Sequence, residues 1–339
     1  MQKSNLLAYG NTRAKEKREK FIKKRKKHFQ KAKKYVTIGV YNMMGEYLFS
    51  GYMDFTKEEF FDFSKHSSIG VGGVARVAFY PKSTEEIKQL VSRLKRDDLK
   101  HIVLGNLTNV LPPDETLEKV VISTKKLVES RIGEQVYVSA GVTSACLLKA
   151  CRYAKKSGAE FLAGIPCTIG GALYMNAGVN GRYIAEIVES VDVYRDGEII
   201  KLSVNDCKYA YKQSVFMQNN DVILGATLCL TDSDEKHIAA QIGEYIERRK
   251  HLPKGKSMGC VFKNPLSQNT KISAGEWIEK SGLKGARCGG AYVSNQHANF
   301  IINDGGATSK DVKELIKLIK ERVLSQHNIR LEEEIAYLE

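Results

Sequence analysis

No run of apolar residues in the 339-residue chain is long enough to span a bilayer. The longest largely apolar stretch, Val222 to Leu230, has nine residues where a membrane helix needs roughly 20. No apolar core follows the basic N-terminus, so no export signal is expected. The seven cysteines, Cys146, Cys151, Cys167, Cys207, Cys229, Cys260 and Cys288, are odd in number and contain no Cys-x-x-Cys pair. That argues against a disulfide framework or a zinc site and for the reduced thiols of a cytoplasmic protein. The seven histidines lack metal-ligand spacing as well, and no metal is expected. The body of the chain also lacks net charge. Residues 1–35 carry 14 Lys and Arg against two Glu, a net of +12, whereas the rest balances 39 basic against 37 acidic residues, leaving +2 of the overall +14. The basic signal therefore belongs to a tail. That tail has few apolar residues (Phe21, Ile22, Phe29) and no aromatic stacking platform, so it reads as a solvated extension. Contact with nucleic acid or anionic lipid is expected, if anywhere, only through residues 1–35.

The length suggests two or three domains. Residues 36–65 give little signal beyond a strand at Val36–Tyr41. After that, Ser83 stands three residues before Glu86, a capping box opening a helix whose apolar face is Ile87, Leu90, Val91 and Leu94. His101–Gly105, Lys119–Ile122 and Val136–Ala140 read as strands, and a helix runs from about Ser144 to Lys156 before Gly158. Asp196-Gly197 between Val191–Tyr194 and Ile199–Leu202 marks a tight hairpin, since both turn residues must take positive φ. Asp221–Leu230 reads as a buried strand. Asp234 opens a helix with Ile238, Ile242, Tyr245 and Ile246 on one face, and Thr308 opens another with Val312, Leu315, Ile316, Ile319 and Val323. A boundary near residue 233 separates two α+β halves.

Gly70-Val71-Gly72-Gly73-Val74-Ala75 matches the Gly-x-Gly-x-x-Ala dinucleotide fingerprint, but a strand-like segment follows it where a helix is required, so that reading is rejected. There is no Gly-Lys-Ser/Thr phosphate loop. Gly164-Ile165-Pro166-Cys167-Thr168-Ile169-Gly170-Gly171-Ala172 and Asn176-Ala177-Gly178 form the richest segment. Such glycines let backbone approach a ligand and present N–H groups, or simply allow tight contact between elements, and composition does not decide between the two.

Other fragments do. His66-Ser67-Ser68 leads to Gly72-Gly73; Leu104-Gly105-Asn106-Leu107-Thr108-Asn109 follows; then come Tyr211-Lys212-Gln213-Ser214-Val215-Phe216, Gly259-Cys260-Val261-Phe262-Lys263-Asn264-Pro265, Ala274-Gly275, Gly282-Leu283-Lys284-Gly285, Val293-Ser294 with His297-Ala298-Asn299-Phe300, and Leu331-Glu332-Glu333-Glu334-Ile335. Each is weak alone. In this order, with the Gly164 segment among them, they resemble the UDP-N-acetylenolpyruvoylglucosamine reductase family over roughly residues 66–335. The 46 positions from Ser214 to Cys260 are similar to the family's shorter subtype, without an extra tyrosine-bearing loop. Leu107 stands where the family's phosphate loop has its second glycine, Cys167 where it has glycine, Lys212 where it has arginine, Cys260 where it has serine, and Ala336 where some relatives have arginine.

The resemblance implies an α+β chain. A two-subdomain FAD-binding fold of the vanillyl-alcohol-oxidase (PCMH) type covers residues 36–233, split near 125, and a C-terminal α+β substrate-binding domain covers 234–339. It implies non-covalent FAD held by Gly105, Asn106, Leu107, Thr108, Asn109, Pro166, Thr168, Gly170, Gly171 and Gly178, with NADPH as hydride donor. The reaction implied is reduction of UDP-N-acetylglucosamine enolpyruvate to UDP-N-acetylmuramate, a peptidoglycan precursor. Lys212 and Glu334 would stabilise the enolate-like charge, Cys260 would protonate it, and Tyr211, Lys263 and Asn264 would contact the UDP-sugar. A thiol ordinarily ionises near pH ~8.5, and a neighbouring Lys212 is expected to lower this while nearby Glu334 opposes it. Two other readings stay open: a flavin oxidoreductase with another substrate, and an impaired paralogue that binds partners through its basic tail.

Overall fold

The computed structural model describes residues 49–265 and 272–339. The basic extension and the strand expected at Val36–Tyr41 lie outside the described residues. The chain forms two units, Met1–Met53 and Asp54–Glu339. Of the first, the described part ends in a single 3-10 turn, Ser50–Tyr52, where the Phe49 and Tyr52 rings meet edge to face.

The second unit opens with a four-stranded sheet. Its strands β1 (Lys57–Asp62), β2 (Val74–Phe79), β3 (His101–Leu104) and β4 (Val120–Ser123) lie in the order β1-β2-β4-β3, with β1 antiparallel and the other three parallel. Helix α1 (Thr84–Arg96) connects β2 to β3. Ser83 Oγ caps it by accepting from Glu86 N–H, while the Glu86 carboxylate reaches back to Lys82 N–H, one residue before the cap. Ile87, Leu90, Val91 and Leu94 are buried on its inner face, as the spacing predicts.

A five-stranded antiparallel sheet follows, made of β5 (Ser130–Ile132), β6 (Val136–Ser139), β7 (Val188–Arg195), β8 (Glu198–Ser203) and β9 (Val222–Leu228), ordered β8-β7-β9-β6-β5. Asp196 and Gly197 both have positive φ and join β7 to β8 as expected. Strand β9 is central and buried along its whole length, which explains why it reads as a continuous apolar run rather than an alternating one. Helix α2 (Ser144–Tyr153) is shorter than the sequence suggests. Lys155 turns left-handed and Lys156–Ser157 leaves the helix to pair with Thr231–Asp232. Helix α3 (Ile169–Met175) is capped by Thr168 and ends at Asn176 with φ 44°.

Helix α4 (Glu235–Arg249), opened by Asp234, packs on α2 and on the 3-10 turn Glu160–Leu162. Only Ile238 of its expected apolar face is buried, and Ile246 is 46% exposed. Beyond it, α5 (Ala274–Lys280), a three-stranded antiparallel sheet β10 (Arg287–Cys288), β11 (Ala291–Val293) and β12 (Ile301–Asn303), and α6 (Ser309–His327) enclose their own apolar core, which includes Phe262, Ile278, Leu315 and Ile319. Thr308 and Asp311 form a reciprocal capping box on α6, and all five apolar residues expected on its face are buried. The chain then returns to the first sheet's neighbourhood, where Ala336–Tyr337 pairs in parallel with Val110–Leu111.

Candidate active site

A cleft of about 2210 Å³ runs between the two larger sheets and along the C-terminal core. The ten residues assigned above to the cofactor, from Gly105 to Gly178, all line it. The segment Gly105–Asn109 leaves the carboxyl end of β3, and the segment Gly164–Thr168 leads into α3. Asn106 Nδ2 donates to Pro166 O at 2.9 Å and ties the two together. They approach so closely that a Cβ on Gly105 would stand 2.3 Å from Thr168 Oγ1, so only glycine fits there. Among the described residues no acceptor is found for the backbone N–H groups of Asn106, Leu107 and Thr108, which border the cleft. Unpaired amides around a concavity suit phosphate oxygens.

Leu107 is the notable residue of this segment. It holds φ at 52° although it is not glycine, and its side chain is 4% exposed among Phe63, Leu104 and Leu117. The left-handed turn that glycine would allow freely is kept here by apolar burial, which outweighs a strain of about 1 kcal/mol.

The residues expected to carry the chemistry converge from three segments. Tyr211 and Lys212 are the two corner residues of a tight turn whose ends, Ala210 and Gln213, exchange both backbone hydrogen bonds at 3.1 Å; Lys212 has φ 54°. Cys260 lies on an extended stretch held between two others: Cys260 bridges Phe300, Val261 N–H donates to Asn299 O, and Glu334 N–H donates to Val261 O. Glu334 is fixed from its other side as well, because Asn109 Nδ2 donates to Glu334 O at 3.0 Å and Ala336 N–H donates to Asn109 O. The segment lining the cofactor end of the cleft and the carboxylate are thus one hydrogen-bonded unit. Across this arrangement Lys212 Nζ meets Glu334 Oε1 at 2.8 Å, each side chain 15% exposed. Tyr211 Oη accepts from Asn264 N–H at 3.2 Å, and burial pushes its phenol up.

At Cys260 Lys212 and Glu334 act in the expected directions, but burial, which the sequence does not show, decides the balance. The thiol is pushed up to about 11, by burial first and by the Glu334 carboxylate second; Lys212, Arg249 and Asn299 pull the other way without prevailing. The thiol is a retained proton, not a thiolate. Cys167 behaves similarly, pushed up to about 11 by burial.

Tyr211, Lys212, Cys260, Asn264 and Glu334 all border the cleft, whereas Lys263 does not; its ammonium pairs with Glu332 at 2.5 Å. Two residues missed in the sequence also belong here. Arg249 borders the cleft, donates from Nε to Gly164 O at 3.1 Å, and has its pKa lowered by burial. Asn299 is buried and holds both the N–H and the carbonyl of Phe262 with its amide. Asn299 lies in the His297–Phe300 fragment, which could have pointed to it; Arg249 lies in none of the fragments, and only the fold brings it to the site. Among the described residues no group of three or more His, Cys, Asp or Glu is placed to hold a metal, and no helix is long and apolar enough to cross a membrane.

Two mixed α-and-β layers flank an extended cleft, where the Lys212 ammonium of the second layer meets the Glu334 carboxylate and the Cys260 thiol of the C-terminal segment, an arrangement that fits the α+β FAD-binding type of oxidoreductase fold. Residues 75–203 match the FAD binding domain family, and residues 250–338 match the C-terminal domain of UDP-N-acetylenolpyruvoylglucosamine reductase. The chain is 37% identical to the UDP-N-acetylenolpyruvoylglucosamine reductase of Thermotoga maritima over 278 residues, spanning 80% of this chain and 95% of that one. Identity to the Bacillus subtilis reductase is 35% over 278 residues, 80% and 90% of the two chains. The crystal structure of the Thermus caldophilus reductase superposes with a TM-score of 0.70 at 31% identity, covering 84% of this chain and 99% of that one. The chain belongs to the UDP-N-acetylenolpyruvoylglucosamine reductase family.

Proposed function

We propose that this chain reduces UDP-N-acetylglucosamine enolpyruvate to UDP-N-acetylmuramate with NADPH, using non-covalently bound FAD, in the synthesis of peptidoglycan precursors. The single observation that carries the reading is the Lys212–Glu334 pair beside the Cys260 thiol, at the cleft that the cofactor segments share with the C-terminal domain. The family membership fixes the reaction; this constellation supplies its chemistry. The residues fit the cofactor, since unpaired amides at Asn106–Thr108 and the close Gly105–Thr168 contact make a phosphate cradle. When bound, FAD supplies the hydride acquired from NADPH.

The protein's own groups then manage charge and proton. Lys212 and Glu334 face the carbon next to the one receiving hydride, and a fixed cation there favours the carboxylate-conjugated negative charge that exists only after transfer. Cys260 gives its proton to that carbon; burial keeps the proton available at neutral pH. Tyr211 and Asn264, already joined by a hydrogen bond, form one wall for the UDP-sugar. Lys263 would reach the substrate only by leaving Glu332. Residues 1–35 form an accessory extension outside the chemistry, and the cytoplasm, where NADPH and sugar nucleotides are present, is the site of action. The test is direct. Purified protein should be yellow, release FAD on denaturation, and oxidise NADPH on addition of the enolpyruvyl substrate. A colourless protein that takes up no FAD would overturn the reading.

A further inference from the structure

The turn that presents Tyr211 and Lys212 is tied to the rest of the molecule by two buried side chains outside the cleft. Asn176 closes α3 in a left-handed conformation, φ 44°, and is 4% exposed. Its Nδ2 donates to Ala210 O at 2.8 Å, while its Oδ1 accepts from Ala185 N–H at 3.3 Å. Ser214, 3% exposed, donates from Oγ to Tyr174 O at 2.6 Å. Ala210 O therefore accepts twice, from Gln213 N–H within the turn and from the Asn176 amide outside it. Both ties run to the carboxyl end of α3, the short helix whose first turn, Gly170 and Gly171, borders the cofactor cleft.

This matters because Lys212 stands in a backbone conformation that a lysine rarely adopts, φ 54°. Such a conformation persists only where surrounding structure over-determines it, and strained residues of this kind collect at sites where placement serves function. An isolated four-residue turn with a lysine at its left-handed corner relaxes. Here the anchored carbonyl on one side and the anchored serine on the other leave no room for that, and the ammonium is delivered to Glu334.

We propose that Asn176 is a positioning residue for the substrate half of the reaction, its amide clamping the Tyr211–Lys212 turn to α3 so that Lys212 stands at the reacting carbon. The proposal rests on the functional reading above for its catalytic consequence, but not for the clamp itself.

The test uses the full-length flavoprotein and Asn176→Gly, which keeps the left-handed cap and deletes the amide; Asn176→Asp, which keeps an acceptor and loses the donor, serves if the glycine variant does not fold. Amide hydrogen exchange at Gln213 should rise at least ~10-fold, because its hydrogen bond closes the turn. FAD content and flavin reduction by NADPH should stay within about twofold of wild type. Reoxidation by the enolpyruvyl substrate should slow by ~10²-fold, the effect of about 1 Å of misplacement. In a Lys212→Ala background the same change should add less than about twofold, since positioning an absent ammonium has no effect. Unchanged exchange at Gln213 overturns the clamp, whatever the activity. A full ~10²-fold further loss in the Lys212→Ala background shows that Asn176 acts by another route and overturns the positioning role. Raised exchange in a protein whose wild type does not reduce the enolpyruvyl ether upholds the clamp and overturns instead the functional reading.

Discussion

Replacing Cys260 separates its two possible roles, proton donor and packing residue, and the structure sets the size of the effect. With its pKa pushed up to about 11, the Cys260 thiol is still about 99% protonated at pH 9 and about 90% at pH 10, whereas a thiol of ordinary pKa ~8.5 would be only about a quarter protonated at pH 9. The sign follows directly. In the proposed donor role the protonated thiol is the active form, so activity attributable to it should be retained through pH 9 and decline only as pH climbs through the raised value. The same raised pKa makes Cys260 favour the folded state at pH below about 8.5, with that contribution fading between there and about 11. Stopped-flow absorbance can follow the two halves separately from pH 7 to pH 10. Flavin reduction by NADPH needs no proton from Cys260 and should be unaffected in Cys260→Ala. Reoxidation by substrate should fall ~10²–10⁴-fold, the usual worth of a general acid. Cys260→Ser, whose hydroxyl does not ionise in this range, should retain turnover and show no alkaline decline at all. Wild-type reoxidation that falls with a midpoint near pH 8.5, and stops doing so in Cys260→Ser, would refute the burial argument. Wild-type reoxidation rates in Cys260→Ala would refute the donor role itself.

Other substitutions have equally definite outcomes. Lys212→Ala leaves the Glu334 carboxylate, 15% exposed, without its partner, and should cost about 1–3 kcal/mol of stability by denaturant titration along with most substrate reduction. Leu107→Gly relieves about 1 kcal/mol of backbone strain but forfeits about 2–4 kcal/mol of buried side chain, so the apparent Tm should drop even though glycine suits the turn better; a rise would show that strain dominates. Lys263→Ala should alter substrate KM by less than about threefold, since its ammonium is engaged with Glu332, and a large KM rise would place it in the substrate site after all. Removing residues 1–35 should leave kcat nearly unchanged, because every matched motif lies beyond residue 65; a large loss in folded, truncated protein would show that the extension reaches the chemistry.

How far the sequence could be read depended on the range of the interactions involved. The apolar faces of α1 and α6, the Asp196-Gly197 hairpin and the buried run of β9 follow from residues within a few positions of one another, and each appears where periodicity or turn chemistry puts it. The end of α2 did not, because Lys156–Ser157 is claimed by a strand 75 positions later in the chain. The face of α4 was read as more buried than it is, since three turns of helical spacing do not say how much of a stripe a neighbour covers. At the site, motif order brought out the residue types, but not their state. The raised pKa of Cys260 comes from burial and from Glu334, and the turn that carries Lys212 is tied to α3 by the Asn176–Ala210 and Ser214–Tyr174 hydrogen bonds, which span 34 and 40 positions; neither is local in sequence.

The hydrogen bond from Asn109 to Glu334 joins residues 225 positions apart. On a ribosome adding about 5–20 residues per second, the carboxylate is made roughly 10–45 s after the asparagine that will hold it. For that interval the Gly105–Asn109 segment exists without the stretch that completes it. The nascent polypeptide can therefore pair the strands of its first sheet well before Asn109 meets the carbonyl that its side chain holds.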